Sequence, residues 1–423
     1  MQFIDGGVTA PKGFTANGML CKIKESSTKN DLALVFSEKL CNAAGVFTQN
    51  KVKAESVKLT KENIANGKAQ AVIANSGNAN ACTGDQGAKV ARKMASLAAD
   101  VLGINSGDVI VYSTGVIGKQ LPVEKIEKNI QSLKDGLSKE GHKEARTAIM
   151  TTDTHYKECA VQTVIGGKTV RIGAMAKGSG MIHINMGTML SVMTTDCAIS
   201  SQMLEKALRK SVAGTYNCVS IDGDTSTNDS LTILANGMAG NDEITCEGED
   251  FEIFYEALNS INTQMAKKIA GDGEGATKLI ECNVSGAKDV ETARGLAKAV
   301  ISSSLAKAAI FGSDANFGRF LGGGAIKQND LFITDAKQAA DSHNQHNNNG
   351  RGNTGQGNVP GLFPAAGAVN NGRFIQLLIN TGERRQIHNT APADALPNIC
   401  PYQHMPKGLI AAHIVHIFAA EEH

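Results

Sequence analysis

What most constrains this chain is how often its hydrophobic period switches over the first three hundred residues. Short apolar runs at residues 31–36, 69–74, 109–112, 231–234 and 277–282 read as strands. Between them, apolar residues recur three or four apart. Val90, Met94, Leu97 and Val101 mark one helix, and Val123, Ile126, Ile130, Leu133 and Leu137 a second. Further helices are expected after Ser200 (Leu204, Leu208, Val212), after Asp250 (Phe254, Leu258, Ile261, Met265) and near Asp289 (Leu296, Val300, Leu305). Thr83 and Gln86 are spaced as a capping box before the first helix. Residues 159–165 and 168–174 flank Gly166-Gly167 and predict a hairpin. Long helices alternating with hairpin-like strands give the fold class: α/β, a layered α/β sandwich rather than a doubly wound sheet.

Size and charge exclude several functions. The 423 residues allow two or three domains or one large one, and 42% hydrophobic content supports a packed core. A net charge of +1 gives no electrostatic reason to expect nucleic acid or an anionic membrane as partner. The opening MQFIDGGVTAPKGF lacks the basic and apolar regions of a signal peptide. The most apolar late stretch, 409–420, is short and carries His413 and His416, which argues against a membrane span. Nine scattered cysteines with no C-x-x-C predict neither a disulfide framework nor a zinc site, and a cytoplasmic setting fits best.

After about residue 330 the character changes. Seven of the ten histidines lie beyond residue 342 and six of the eight prolines beyond residue 359. The run HNQHNNNGRGNTGQGN has neither helical nor strand period. It reads as a disordered polar tail or as a stretch translated in another frame.

The glycine-rich motifs fail the common tests. In Gly173-x-x-x-x-Gly178 the lysine precedes the second glycine, where a phosphate loop needs Lys and Ser/Thr after it. Gly178-Ser-Gly180-Met-Ile-His183 lacks the third glycine of a dinucleotide fingerprint. The run from Asp222 to Asn228 begins like a calcium loop but has Thr227 and Ile233 where glycine and glutamate belong, so a turn with side-chain-to-backbone bonds is expected, and no metal.

One bond carries a sharper chemistry. A threonine hydroxyl is a weak nucleophile, but a threonine at a chain terminus has its own α-amine as base. That amine titrates at about 7.7–8.0. Thr188 gains this base if the Gly187-Thr188 bond is cut. Gly187 gives the turn the freedom for the hydroxyl to reach the preceding carbonyl, and an N-to-O acyl shift followed by hydrolysis then makes two chains. On the dipeptide alone, an ordinary capping threonine is the better reading.

The neighbouring blocks change that. KGSGMIHINMGTML, VYSTGVIGK, IMTTDT, VSIDGDTSTND and GDGEGATK, with GGVTAPKGF, AVIANSGNANACTG and SDANFGR, appear in order over residues 1 to about 320. In these blocks the sequence closely resembles the glutamate N-acetyltransferase/ornithine acetyltransferase family, the self-processing enzymes of arginine biosynthesis. The resemblance implies cleavage between Gly187 and Thr188 into an α chain, 1–187, and a β chain with core 188–330. Thr188 is then the nucleophile that takes an acetyl group from N-acetylornithine and passes it to glutamate. Acetyl-CoA is a donor in some members, and no cofactor is implied. Thr114 and Gly115 match the oxyanion hole, and Thr151, Lys177 and Glu274 match substrate contacts: Lys177 for a carboxylate, Glu274 for the ornithine ammonium. The glycine-rich GDGEGATK suits a loop presenting Glu274. Two α and two β chains, a heterotetramer, are the usual assembly.

The resemblance breaks soon after SDANFGR, in which Phe317 stands where a tryptophan is usual. The 331–423 tail offers no match to the family's closing substrate contacts. Its loss is expected to leave a sheet edge open and the pocket short of one wall. Two alternatives therefore stand beside the transferase: an impaired or inactive member, and a related self-processing aminopeptidase or amidase.

Overall fold

The computed structural model describes residues 1–183, 189–285, 287, 289–312 and 318–319, and the backbone of three later strands. In chain order the elements begin β1 (Gln2–Ile4), β2 (Phe14–Met19), β3 (Leu32–Phe47), α1 (Glu55–Asn63), β4 (Lys68–Asn75), α2 (Gly84–Leu102), β5 (Val109–Ser113), α3 (Val123–Asp135) and α4 (His142–Ala148). Next come β6 (Lys157–Ile165), β7 (Lys168–Lys177), β8 (Ile182–His183), β9 (Leu190–Thr195), α5 (Ser201–Gly214), β10 (Val219–Thr225), β11 (Ser230–Ala235) and α6 (Glu249–Ala270). The chain continues with β12 (Lys278–Ser285), α7 (Val290–Ile301), α8 (Ser304–Phe311), β13 (Leu362–Asn370), β14 (Arg373–Glu383) and β15 (Val415–Ala420). Two compact units result: Met1–Asn217 with Asp224–Ile269, and Cys218–Gly223 with Ala270–His423.

The first unit holds a mixed sheet in the order β1-β6-β7-β9-β11-β3-β4-β5, with β2 added on β3. Its β4/β5 and β9/β11 pairs are parallel, and the remaining pairs are antiparallel. Strand alternation sorts its side chains into two cores. Leu32, Leu34, Ala71, Ile73, Val109 and Val111 face the apolar stripes of α2 and α3. Ala33, Val35, Val72, Ala74, Ile110 and Tyr112 face the other way, toward Ala145 and Ala148 of α4. A sheet covered on both faces needs apolar residues at consecutive positions, which is why these strands read as continuous apolar runs. The layered α/β class expected from the sequence is what forms.

Most local expectations hold. Val90, Met94 and Leu97 are buried on α2, and Ile126, Ile130 and Leu133 on α3. The β6–β7 hairpin turns on Gly166 (φ 53°) and Gly167 (φ 72°), a pair of positive φ values that only glycine adopts without strain. Ser200 and Asp289 cap α5 and α7 by accepting from Met203 N–H and Thr292 N–H.

Three local expectations need correction, and one strand, β2, has no counterpart among them. The strand at 31–36 runs on to Phe47, past a register shift between Phe36 and Cys41 where exposed Glu38, Lys39 and Leu40 break the pattern. β2 escaped the sequence reading because FTANGM carries too few apolar residues to signal a strand. Thr83 does precede α2, but its side chain makes no cap; the hydroxyl donates to Asn80 Oδ1 instead, at 2.8 Å. Leu305 does not continue the helix of Leu296 and Val300: that helix stops at Ile301, Ser303 caps a new one, and Leu305 is exposed.

In the second unit β12 pairs antiparallel with β14 on one side and β15 on the other, and β13 extends the sheet beyond β14. Val219 and Ser220 of β10 pair parallel with Phe418 and Ala419. Ile280, Cys282 and Val284 of β12 pack on Ala293, Leu296, Ala297 and Val300 of α7. β13, β14 and β15 all lie beyond residue 330, so β12 is paired along both edges and the open edge expected there does not occur. Among the described residues no helix is long and apolar enough to cross a membrane.

Candidate active site

β4 and β5 are parallel neighbours, so the loops after their C-terminal ends lie side by side. Thr114 N–H donates to Asn75 O at 3.0 Å, Val116 N–H to Gly77 O at 3.4 Å, and Ala79 N–H to Val116 O at 2.9 Å. Asparagines do the rest of the stitching. Asn78 Nδ2 donates to the carbonyls of Lys119 and Gln120, both at 3.2 Å, and Asn228 Nδ2 to those of Ala79 (2.6 Å) and Ser113 (2.7 Å). Such donors replace the ladder bonds that a turning backbone gives up. Gly115 has φ +130°, and a Cβ there would stand 2.4 Å from the Gly77 carbonyl carbon, so this position demands glycine. Among the described residues its N–H makes no hydrogen bond.

Lys177 ends β7 and is buried, and its Nζ donates to the Thr114 hydroxyl at 3.3 Å. A buried ammonium needs compensating groups. Asp153 is close enough for its field to be felt, and this carboxyl organises the corner. Its Oδ1 pairs with Lys157 Nζ at 2.6 Å and accepts Gly178 N–H at 2.7 Å; its Oδ2 accepts Thr151 N–H at 3.1 Å. Burial alone would raise the Asp153 carboxyl, but the charges of Lys157 and Lys177 and these hydrogen bonds hold it below the usual carboxylate range. Through Asp153, half-buried Thr151 is tied to the turn that follows Lys177.

Of the run from Asp222 to Asn228, expected as a turn, residues 222–225 continue β10 as strand, and only the residues after it turn. Asn228 N–H donates to Ser226 Oγ at 3.2 Å, Ser230 Oγ to Asn228 O at 3.0 Å, and Thr48 Oγ1 to Ser226 O at 2.8 Å. The turn delivers Asp229 to a cavity of about 20 Å³ that Thr114, Lys177, Met189 and Ser226 also line. That volume is room for about one water.

Thr114, Gly115, Lys177 and Thr151 are thus gathered in one corner of the first unit. Glu274 is exposed in the turn between α6 and β12, just before Gly275 (φ 74°), and belongs to the second unit. GDGEGATK is indeed a loop up to the start of β12. Gly187 and Thr188 lie outside the described residues. Sequence reasoning missed Asp153, Lys157 and Asp229. A usable signal existed for Asp229: it directly precedes SLTILA, a strand buried at every position, and a carboxyl in that place cannot reach bulk water.

A threonine hydroxyl beside a glycine N–H at a strand end, with a buried ammonium against it, can stabilise negative charge on a reacting oxygen. The sequence model of the ArgJ family matches residues 15–339. The arginine biosynthesis bifunctional protein ArgJ of Caldanaerobacter subterraneus subsp. tengcongensis is 51% identical over 321 residues, covering 76% of this chain and 79% of that protein. Its namesake in Symbiobacterium thermophilum is 52% identical over 322 residues, covering 76% and 80%. Among solved structures, the argJ protein of Bacillus halodurans is 42% identical, with a TM-score of 0.42 over 45% of this chain and 97% of that one. An ornithine acetyltransferase from Mycobacterium tuberculosis, complexed with ornithine, is 39% identical, with a TM-score of 0.40 over 44% and 98%. On the family match over residues 15–339 and the two half-identical relatives over 76% of its length, the chain belongs to the ArgJ family.

Proposed function

We propose that this chain transfers the acetyl group of N2-acetyl-L-ornithine to L-glutamate, in arginine biosynthesis, through an acetyl ester on Thr188. The observation that carries the reading is the ArgJ match over residues 15–339, shared with arginine biosynthesis bifunctional proteins about half identical in sequence.

The chain first cuts itself. The Thr188 hydroxyl oxygen attacks the Gly187 carbonyl carbon, the peptide C–N bond breaks, and water hydrolyses the resulting ester. This leaves an α chain, 1–187, ending in a carboxylate and a β chain beginning with a free Thr188 amine. That amine then serves as base, and the acyl ester splits one amide transfer into two easier steps. Thr114 and Gly115 donate to the oxyanion of each tetrahedral intermediate. Lys177 and Thr151 hold the substrate's carboxylate end, and Glu274 the ornithine ammonium. The reaction needs no cofactor; acetyl-CoA, where it is used, enters as a donor substrate. The working assembly is a heterotetramer of two α and two β chains in the cytoplasm.

Intact mass under denaturing conditions tests the reading, followed by acetyl exchange from N-acetylornithine to labelled glutamate. The expected result is two fragments, the second starting at Thr188, and glutamate acetylation. Thr188→Ala is expected to stay one chain and to lose exchange. Processing by that variant would overturn the nucleophile assignment. A processed native protein without exchange would favour an impaired member of the family.

A further inference from the structure

We propose that Asn228 is the positioning residue of the Thr114-Gly115 turn: its carboxamide anchors the backbone on both sides of the turn, so that the Gly115 N–H is kept available as an oxyanion donor. What that N–H serves rests on the transferase reading above; the hold on it is a matter of hydrogen bonds among described residues.

Both polar atoms of the buried Asn228 carboxamide are committed. Nδ2 has two hydrogens, and it donates to the Ser113 carbonyl at 2.7 Å and to the Ala79 carbonyl at 2.6 Å. Oδ1 accepts the Thr227 hydroxyl at 2.6 Å, which orients the amide. The Ser113 carbonyl belongs to the Ser113–Thr114 peptide, and the other end of that peptide is taken as well: Thr114 N–H donates to Asn75 O at 3.0 Å. This peptide cannot rotate without breaking a hydrogen bond at each end. Past the turn, Val116 N–H donates to Gly77 O at 3.4 Å, and Val116 O accepts the N–H of Ala79, the residue whose carbonyl Asn228 also holds. The Thr114–Gly115 peptide lies between these anchors, and its N–H makes no hydrogen bond among the described residues. Gly115 has no Cβ to restrain its backbone, so the order of the turn must come from its neighbours. A crankshaft rotation of this one peptide would replace the N–H with a carbonyl oxygen.

The consequence is an effect on rate rather than on binding. An oxyanion donor accelerates a reaction because it is already in place when the negative charge develops. A turn free to rotate loses that advantage in the transition state, while the charged ends of the substrate are held by other groups in either case. A buried asparagine that served packing alone would lower stability without favouring kcat over KM. Lys177 does not replace the hold, because it reaches the turn through the Thr114 hydroxyl and not through a peptide group.

Asn228→Ala strips both carbonyls of their donor, and Asn241→Ala is its control. Asn241 is also buried and also donates to two carbonyls, of Ala198 (3.1 Å) and Asp242 (2.7 Å), but past the end of β9 remote from Leu190. In the matured enzyme, Asn228→Ala is expected to lower kcat for exchange about tenfold to a hundredfold with KM little changed, less than the roughly 10²–10³ that losing a donor itself costs. Asn241→Ala is expected to lose stability and keep the native kcat. Asn228→Gln, which retains the carboxamide, is expected to recover part of the rate. An Asn228→Ala kcat within twofold of the native value, or an equal loss in Asn241→Ala, overturns the proposal. The turn is also read without activity, by NMR after labelling with carbon-13 threonine and nitrogen-15 glycine, which isolates peptides joining threonine to glycine. One sharp Gly115 signal is expected in the native protein, split or broadened in Asn228→Ala and unaltered in Asn241→Ala. A Gly115 signal that Asn228→Ala leaves unaltered overturns the proposal. If Asn228→Ala does not mature, Thr227→Val, which removes the hydroxyl on Oδ1, takes its place in both measurements with a smaller expected effect of the same kind, and no effect overturns the proposal. A native protein that gives the sharp signal and the variant's response but no exchange removes the transferase reading and not the hold on the turn.

Discussion

Asp153 and Asp229 are equally buried, at 3% and 2% exposure, and both feel the charge of Lys177. Their carboxyls are shifted in opposite directions. Asp153 receives an ammonium and two backbone N–H groups, distributed over both oxygens. Its carboxyl is held low. Asp229 receives a hydroxyl and one backbone N–H, and its Oδ2 gets nothing among the described residues. Its carboxyl is pushed high. Depth of burial is the same for the two; the charges of Lys157 and Lys177 and the further hydrogen bonds on Asp153 set the opposite directions of the shift. One carboxylate fixes the position of Thr151 and Gly178, and the other holds its proton more tightly than a free aspartate does.

The harshest way to break this contrast is Asp153→Ala. It strands Lys157, whose side chain is fully buried, without its counter-charge. A cost of about 3–5 kcal/mol is expected, measured by urea unfolding. A loss near zero would mean that the pair is not what holds this corner. The pH dependence has a definite sign. Asp153's folded value lies below its unfolded value of about 3.9, so its contribution is present above roughly pH 4 and is lost as pH falls through the folded value.

Thr114→Val is expected to act on catalysis rather than on folding. It keeps the β-branched shape and deletes the hydroxyl that accepts from Lys177. Losing one oxyanion donor costs about 2.7–4 kcal/mol, or 10²–10³ in kcat. Steady-state exchange by the matured protein checks this. An unchanged kcat would move the oxyanion donors elsewhere and leave Lys177 as the group that matters at Thr114.

Much of this architecture is legible in the amino-acid sequence alone. Periodicity finds α2, α3, α5 and α6 and the Gly166-Gly167 hairpin, because both signals are local, and passes over the short α4. It stumbles where a strand is held by its neighbours: polar Glu38-Lys39 interrupts β3, and β2 exists because β3 offers an edge to pair with. For the site, the family resemblance of the motif blocks points to Thr114, Gly115, Thr151 and Lys177. It is silent on Asp153 and Asp229, since motif letters say nothing about which carboxyl has enough donors. That count depends on Lys157, Gly178, Ser226 and Met189, which reach the two aspartates only through the fold.

The smallest effect sharpens the contrast most. Asp229's folded value is raised above its unfolded value of about 3.9, so the folded state binds this proton more tightly than the unfolded chain does. Native stability therefore falls as pH rises from roughly 4 towards the folded value, with a limiting slope of about 1.4 kcal/mol per pH unit, and above that value the loss is complete. Asp229→Asn has no proton to lose and should lack this slope. Thermal melts of the two proteins from pH 5 to pH 8 are expected to diverge, with the Asn variant gaining on the native chain at each step upward. For Asp153→Asn the change falls below roughly pH 4 instead, where its deficit against the native chain should shrink as Asp153 takes up its proton. Parallel curves for Asp229→Asn and the native chain would mean that Asp229 is ionised when folded, and the two aspartates would then be alike.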